Sequence, residues 1–107
     1  MIELPKPIAY YFGAQKSRDV EAQTRCFTDD ALVHDEGQDY RGRDAIRGWK
    51  ERVQAKFEYD CEPLAVTIDG SDARVLVRLT GNFPGSPVEL EHRFTLKNDE
   101  IAELFIE

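Results

Sequence analysis

Apolar side chains recur every three or four positions up to Lys56 and every second position from Phe57 onward. That change of period predicts a helical opening half and a strand-rich closing half. Pro5 and Pro7 suit the first turn of a helix running to about Lys16, with Ile8, Tyr11, Phe12 and Gln15 at helical spacing on its inward face. Asp19 is placed to N-cap a second helix in which Val20, Thr24 and Phe27 recur at four and three residues, so this helix is read as ending at Phe27. After a turn, Leu32 to Asp35 reads as a short strand that leads into a polar loop. Gly42 and Asp44 introduce a third helix with an apolar stripe of Ile46, Trp49 and Val53 and a solvent side of Arg47, Lys50, Glu51 and Arg52.

In the second half, Leu64, Val66 and Ile68 alternate before the turn at Asp69-Gly70-Ser71-Asp72, and Val75, Val77 and Leu79 alternate after it. A wider connection, Gly81 to Pro87, precedes a strand in which Leu90, His92, Phe94 and Leu96 share one face, opposite Glu89, Glu91, Arg93 and Thr95. Lys97-Asn98-Asp99-Glu100 turns the chain into a last strand, Ile101 to Ile106. Helices followed by an antiparallel meander indicate an α+β domain whose helices cover one face of a curved sheet. A ferredoxin-like order is excluded because all three helices precede the main strands.

At 107 residues, with 41% apolar and 33% charged side chains, the chain fits one soluble globular domain over residues 1–107. A net charge of -7 repels phosphate backbones and anionic membrane surfaces, so neither nucleic acid nor membrane is expected as a partner. No apolar run approaches the roughly 20 residues of a membrane span. The opening residues, with Glu3, Pro5 and Lys6, do not resemble a secretion signal, and the expected location is cytoplasmic. Cys26 and Cys61 lie far apart without neighbouring ligands, which argues for packing roles rather than a metal site or a disulfide. No phosphate loop, dinucleotide fingerprint, nucleophile elbow or metalloprotease motif is present, and no cofactor is implied.

Chemistry concentrates around Asp35. At a strand end, fixed backbone can aim its carboxylate into a cavity, where burial makes it a proton-transferring base; alternatively it accepts backbone hydrogen bonds in the Glu36-Gly37 turn. Alternation sends His34 to the opposite face. His34, Asp35, Glu36 and Asp39 are consecutive or nearly so in an extended segment, a poor geometry for a shared metal. Tyr11 on its helical stripe and His92 on its apolar strand face have ordinary core readings alongside any functional one. Arg74 and Arg78 share a strand face on which Glu89 or Glu91 can pair with them. Arg41-Gly42-Arg43 has an anion-binding reading that Asp39 and Asp44 offset.

The order of these elements, with Phe27-Thr28-Asp29-Asp30-Ala31-Leu32-Val33-His34-Asp35, Gly42-Arg43-Asp44-Ala45-Ile46-Arg47, Tyr11-Phe12 and the stretch from Phe94 to Ile101, resembles the nuclear transport factor 2-like superfamily in its SnoaL-like and ketosteroid isomerase-like branch. The likeness spans nearly the whole chain. It implies a cone-shaped α+β barrel, three N-terminal helices on a curved, mostly antiparallel sheet, with an apolar pocket inside and a homodimer as the usual assembly. By the resemblance, Asp35 falls at the general base and Tyr11 at the oxyanion-hole tyrosine of ketosteroid isomerases. The chain departs from that pattern at the protonated acid, where it offers Glu91 and His92; parity with Leu90, Phe94 and Leu96 favours His92. Tyr10, Trp49, Phe57, Tyr59, Phe83 and Phe94 are expected to line or cover the pocket. The implied activity is isomerisation, cyclisation or dehydration of a small hydrophobic carbonyl compound by proton transfer. The other reading is a non-catalytic dimeric module that binds a small ligand or serves as an accessory domain.

Overall fold

Residues 2–107 of the protein, described by a computed structural model, form three helices and one six-stranded sheet. Pro7 occupies the first turn of α1 (Lys6–Lys16), where its missing N–H leaves no bond unmade. The spacing of Ile8, Tyr11, Phe12 and Gln15 places all four on the buried face. Asp19 caps α2 (Val20–Arg25) by accepting the Ala22 N–H at 3.0 Å. Here the structure differs from the sequence reading, because the helix stops at Arg25 and Phe27 opens β1 (Phe27–Asp35). Phe27 is fully buried in this arrangement, and a helix would have buried it too, so periodicity alone could not separate the two. What decides is hydrogen bonding: the Phe27 carbonyl accepts both Nε and Nη2 of Arg43, at 3.0 and 2.7 Å, and the residue pairs with Ile101.

The expected polar loop after Asp35 is instead a second strand, β2 (Gln38–Arg41), joined to β1 by Glu36 and Gly37. Both turn residues have positive φ, 53° and 76°, as a tight two-residue hairpin requires. Only Tyr40 of β2 is half-buried, so this edge strand carries almost no hydrophobic signal. Gly42, at φ 88°, then admits the chain to α3 (Arg43–Lys56).

The remaining strands are β3 (Tyr59–Asp69), β4 (Asp72–Gly81), β5 (Val88–Lys97) and β6 (Glu100–Ile106). The sheet order is β2-β1-β6-β5-β4-β3, with β1 and β6 parallel and every other pair antiparallel. The register of β3 against β4 slips between Pro63 and Ala65, and this bulge switches the parity of β3. Tyr59, Cys61 and Pro63 therefore oppose Gly81, Leu79 and Val77, while Val66 and Ile68 oppose Val75 and Ala73. Leu64 thus does not continue the Val66 face as simple alternation predicts, and Ile68 is 56% exposed at the far end of the strand. The core lies between helices and sheet: Ile8, Tyr11, Phe12, Ile46 and Trp49 from above meet Phe27, Val33, Val75, Val77, Phe94 and Leu104 from below.

Candidate active site

Where β3, β4 and β5 run beyond the core, the layers separate and leave a cavity of about 690 Å³. Each polar group on its wall arrives by a traceable route. Asp35 ends β1 just before the hairpin turn, and Trp49 Nε1 from α3 donates to its Oδ2 at 3.1 Å. Tyr11 comes from the buried face of α1, and His92 from the inward face of β5, where it opposes Val75. Tyr59 and Cys61 enter from β3 because of the bulge. Phe57, Phe83, Leu79, Val88, Leu90 and Ile106 make up much of the apolar wall, and Phe57 and Phe83 meet edge to face with ring centres 6.1 Å apart.

Lys50 completes the site. It is 3% exposed, and its Nζ donates to Gln15 Oε1 at 2.9 Å. The ammonium lies 4.6 Å from the centre of the Trp49 ring and 5.0 Å from that of Tyr11. Gln15 Oε1 also accepts Gln23 Nε2 at 2.8 Å, so one buried amide oxygen ties all three helices together.

Burial sets the protonation of the site. It raises the Asp35 carboxyl above its ordinary value, against the pull of the Trp49 hydrogen bond; Glu36 adds to the rise and Lys50 opposes it. Burial lowers Lys50 to about 8, a fall that Cys61 and Asp35 partly offset. His92 drops to about 3, first by burial and then by the Lys50 charge, so at neutral pH its ring is uncharged. Desolvation raises Tyr11 and Tyr59 and takes Cys61 to about 11, which keeps both phenols and the thiol protonated. His92 Nδ1 and Gln15 Nε2 are buried without a hydrogen-bond partner among the described residues.

The model of the SnoaL-like domain matches residues 8–104. The chain belongs to this SnoaL-like family. A candidate polyketide cyclase from Sinorhizobium meliloti is 40% identical, covers 97% of this chain and 95% of its own, and superposes with a TM-score of 0.94. A Catenulispora acidiphila protein with a ketosteroid isomerase-like fold, solved with trimethylamine, has a TM-score of 0.87 at 20% identity over 98% of this chain and 86% of its own. A nuclear transport factor 2-like protein of unknown function from Cytophaga hutchinsonii gives 0.79 at 13% identity over 100% and 93%. The last two establish likeness of fold alone. No curated protein matches the chain in sequence.

Within this SnoaL-like domain Asp35, Tyr11 and His92 line one cavity, as do Trp49, Phe57, Tyr59 and Phe83. Glu91 opposes Leu76 on the other face of the sheet. Two of the expected pocket residues lie elsewhere. Tyr10 is 61% exposed and borders a groove with Pro7, Gly13 and Cys26 outside α1, because it follows Ile8 by two positions and so leaves the buried stripe. Phe94 is fully buried beneath the site, edge to face with Tyr11 and Phe12, and supports the wall without reaching the cavity. Lys50 departs most sharply from the sequence reading, which places it on the solvent side of α3, whereas it is buried. Its position was legible all the same: Ile46, Trp49, Lys50 and Val53 follow the i, i+3, i+4, i+7 rule of a buried stripe.

Outside the cavity His34 pairs with Asp39 across the β1–β2 hairpin at 2.5 Å and stacks on Phe105. Arg78 meets Glu89 at 3.0 Å, and Arg43 is taken up by Asp29, Glu100 and the Phe27 carbonyl. Among the described residues no cluster of side chains has the makings of a metal site, and no helix is long and apolar enough to cross a membrane.

Proposed function

We propose that this SnoaL-like domain is a cofactor-independent isomerase, cyclase or dehydratase that moves a proton on a small hydrophobic carbonyl compound. The single observation that carries the reading is the placement of Asp35: a half-buried carboxylate on an apolar cavity, anchored by one indole N–H and raised above its ordinary value by burial. Two neutral polar groups share the cavity. The Tyr11 phenol stays protonated, and the uncharged His92 ring brings a nitrogen that nothing else in the described residues satisfies. Asp35 removes the proton beside the carbonyl, and the phenol and imidazole take the charge that gathers on oxygen. The surrounding phenylalanines and aliphatics exclude water, which strengthens both effects.

The test is hydrogen exchange at carbon. With 2-tetralone in D2O, an apolar ketone of suitable size, NMR follows the loss of its α-proton signals. Wild-type protein accelerates this loss above the buffer rate, and Asp35→Asn removes most of the acceleration. Equal exchange by the two proteins overturns Asp35 as the base. Binding of the ketone with no exchange by the wild type replaces the enzyme reading with that of a ligand-binding module.

A further inference from the structure

Lys50 is the one buried lysine of the chain; Lys6, Lys16, Lys56 and Lys97 are all exposed. Its surroundings are unusual for a cation. Its Nζ hydrogen bond goes to a neutral amide, and none of the ion pairs among the described residues includes it. Desolvating an ammonium without a hydrogen-bonded counter-ion is costly, and an apolar side chain of similar length fills the same space without that cost. Lys50 also lines the cavity, and its Nζ lies over the rings of Tyr11 and Trp49, which line it too.

We propose that Lys50 is a nucleophilic amine that condenses with an aldehyde or ketone entering the cavity to form an imine at Nζ. The neutral Nζ adds to the carbonyl carbon, forming a C–N bond. The carbonyl oxygen then leaves as water, carrying both amine hydrogens, and a C=N bond remains. Hydrolysis reverses the sequence, and no oxidant, reductant or metal enters it. The groups that face Nζ from the packed elements fit this chemistry. Asp35 on β1 is the one carboxylate acting on it, Tyr11 on α1 and Tyr59 and Cys61 on β3 are neutral acids, and His92 on β5 is uncharged. With its ionisation lowered to about 8, a fraction on the order of a tenth of Lys50 is neutral at pH 7, far more than for a lysine in water. An imine also acidifies the neighbouring C–H, which gives Asp35 an easier proton to take; this last step alone rests on the proton-transfer reading above.

The experiment is reductive trapping of the full-length protein with 2-naphthaldehyde and sodium cyanoborohydride at pH 7, followed by peptide mass spectrometry. The first naphthylmethyl group is expected on Lys50, at least tenfold faster than on Lys6, Lys16, Lys56 or Lys97, with a rate that climbs toward a midpoint near pH 8. Labelling in urea, where all lysines are equivalent, removes that preference. Label on the exposed lysines with Lys50 unmodified in the folded protein overturns the proposal. So does a Lys50 rate that keeps pace with the exposed lysines at every pH. The aldehyde has no α-hydrogen, so its capture does not depend on Asp35. Trapping at Lys50 without exchange of 2-tetralone sinks the proton-transfer reading and leaves the imine; exchange without trapping does the reverse.

Discussion

Trp49 Nε1 donates to Asp35 Oδ2 over 3.1 Å, joining the middle of α3 to the last residue of β1. The bond does two things at once. It fixes the direction of a carboxylate that stands at the edge of a hairpin turn, and it favours the ionised form in a place where burial disfavours it. The same indole lies under the Lys50 ammonium and stacks on Tyr40, so the base, the amine and the β1–β2 hairpin share one support.

Replacing that support by phenylalanine tests its electrostatic part. Trp49→Phe keeps an aromatic ring but removes the donor, so the Asp35 carboxyl is expected to rise further from its ordinary value. Hydrogen bonds to charged groups contribute about 1.5–3 kcal/mol, and the variant is expected to lose stability of that order at pH 7 and less in acid, where the carboxyl is protonated. A carbon-13 NMR titration of the Asp35 carboxyl reads the shift. A midpoint that stays in place or falls rules out the indole as its anchor.

Asp35→Asn separates the cost of the site from its use. A carboxyl raised on folding adds stability that is full in acid and lost as pH rises through the folded value. Asparagine offers the same oxygen to Trp49 and does not ionise. The variant's advantage in melting temperature over the wild type is therefore expected to grow between pH 4 and pH 7. An advantage that shrinks over this interval contradicts the raised carboxyl.

Much of this is legible in the sequence. Regular spacing carried α1, α3 and the β3–β6 meander, and parity alone separated His92 from Glu91. The failures have physical causes. Phe27 is buried equally by a helix end or a strand start, and the choice falls to Arg43, sixteen residues away, through bonds to the Phe27 carbonyl that no local pattern encodes. β2 is an exposed edge strand, whose partner is supplied by backbone rather than by burial. At the site, Cys61 was missed because it reaches the cavity, beside the expected Tyr59, through a bulge that reverses the parity of β3. Lys50 was hidden by its residue type, since lysines on helices usually face water, although its spacing placed it with Trp49.

Gly81 marks how tightly the cavity wall is built. A Cβ at this position would overlap the Glu58 carbonyl oxygen and stand 2.6 Å from the Tyr59 Cβ, both on the β3 side of the pairing. Backbone has no alternative rotamer, so Gly81→Ala must move β3 against β4. A loss of about 1–3 kcal/mol is expected, typical of overpacking, read as a lower urea midpoint with an unchanged slope. Movement of Tyr59 also opens the wall, so trapping at Lys50 should lose its selectivity in the same variant. A loss below about 0.5 kcal/mol, the usual range of a surface substitution, shows that the contact relaxes without strain.

Lys50 leaves its own mark on the pH dependence of folding, and the sign distinguishes it from its neighbours. The folded state releases its proton near pH 8 and the unfolded chain near 10.5, so between these values the unfolded chain holds more protons and stability rises with pH. The full gain is about 3 kcal/mol at about 1.4 kcal/mol per pH unit of difference. Tyr11, Tyr59 and Cys61 act in the opposite sense: folding raises them, so their contribution declines as pH passes the unfolded values of 10.0 and 9.0. A single pH profile therefore mixes the two. Lys50→Met removes the first and keeps both tyrosines and Cys61 in place, leaving Gln15 Oε1 its bond from Gln23. Urea unfolding of both proteins at pH 7.5, 9 and 10.5 should give a stability difference in favour of methionine at pH 7.5 that falls steadily with pH. A difference that is constant across the three places the charge of Lys50 in water, and with it goes the physical basis for a reactive amine in the cavity.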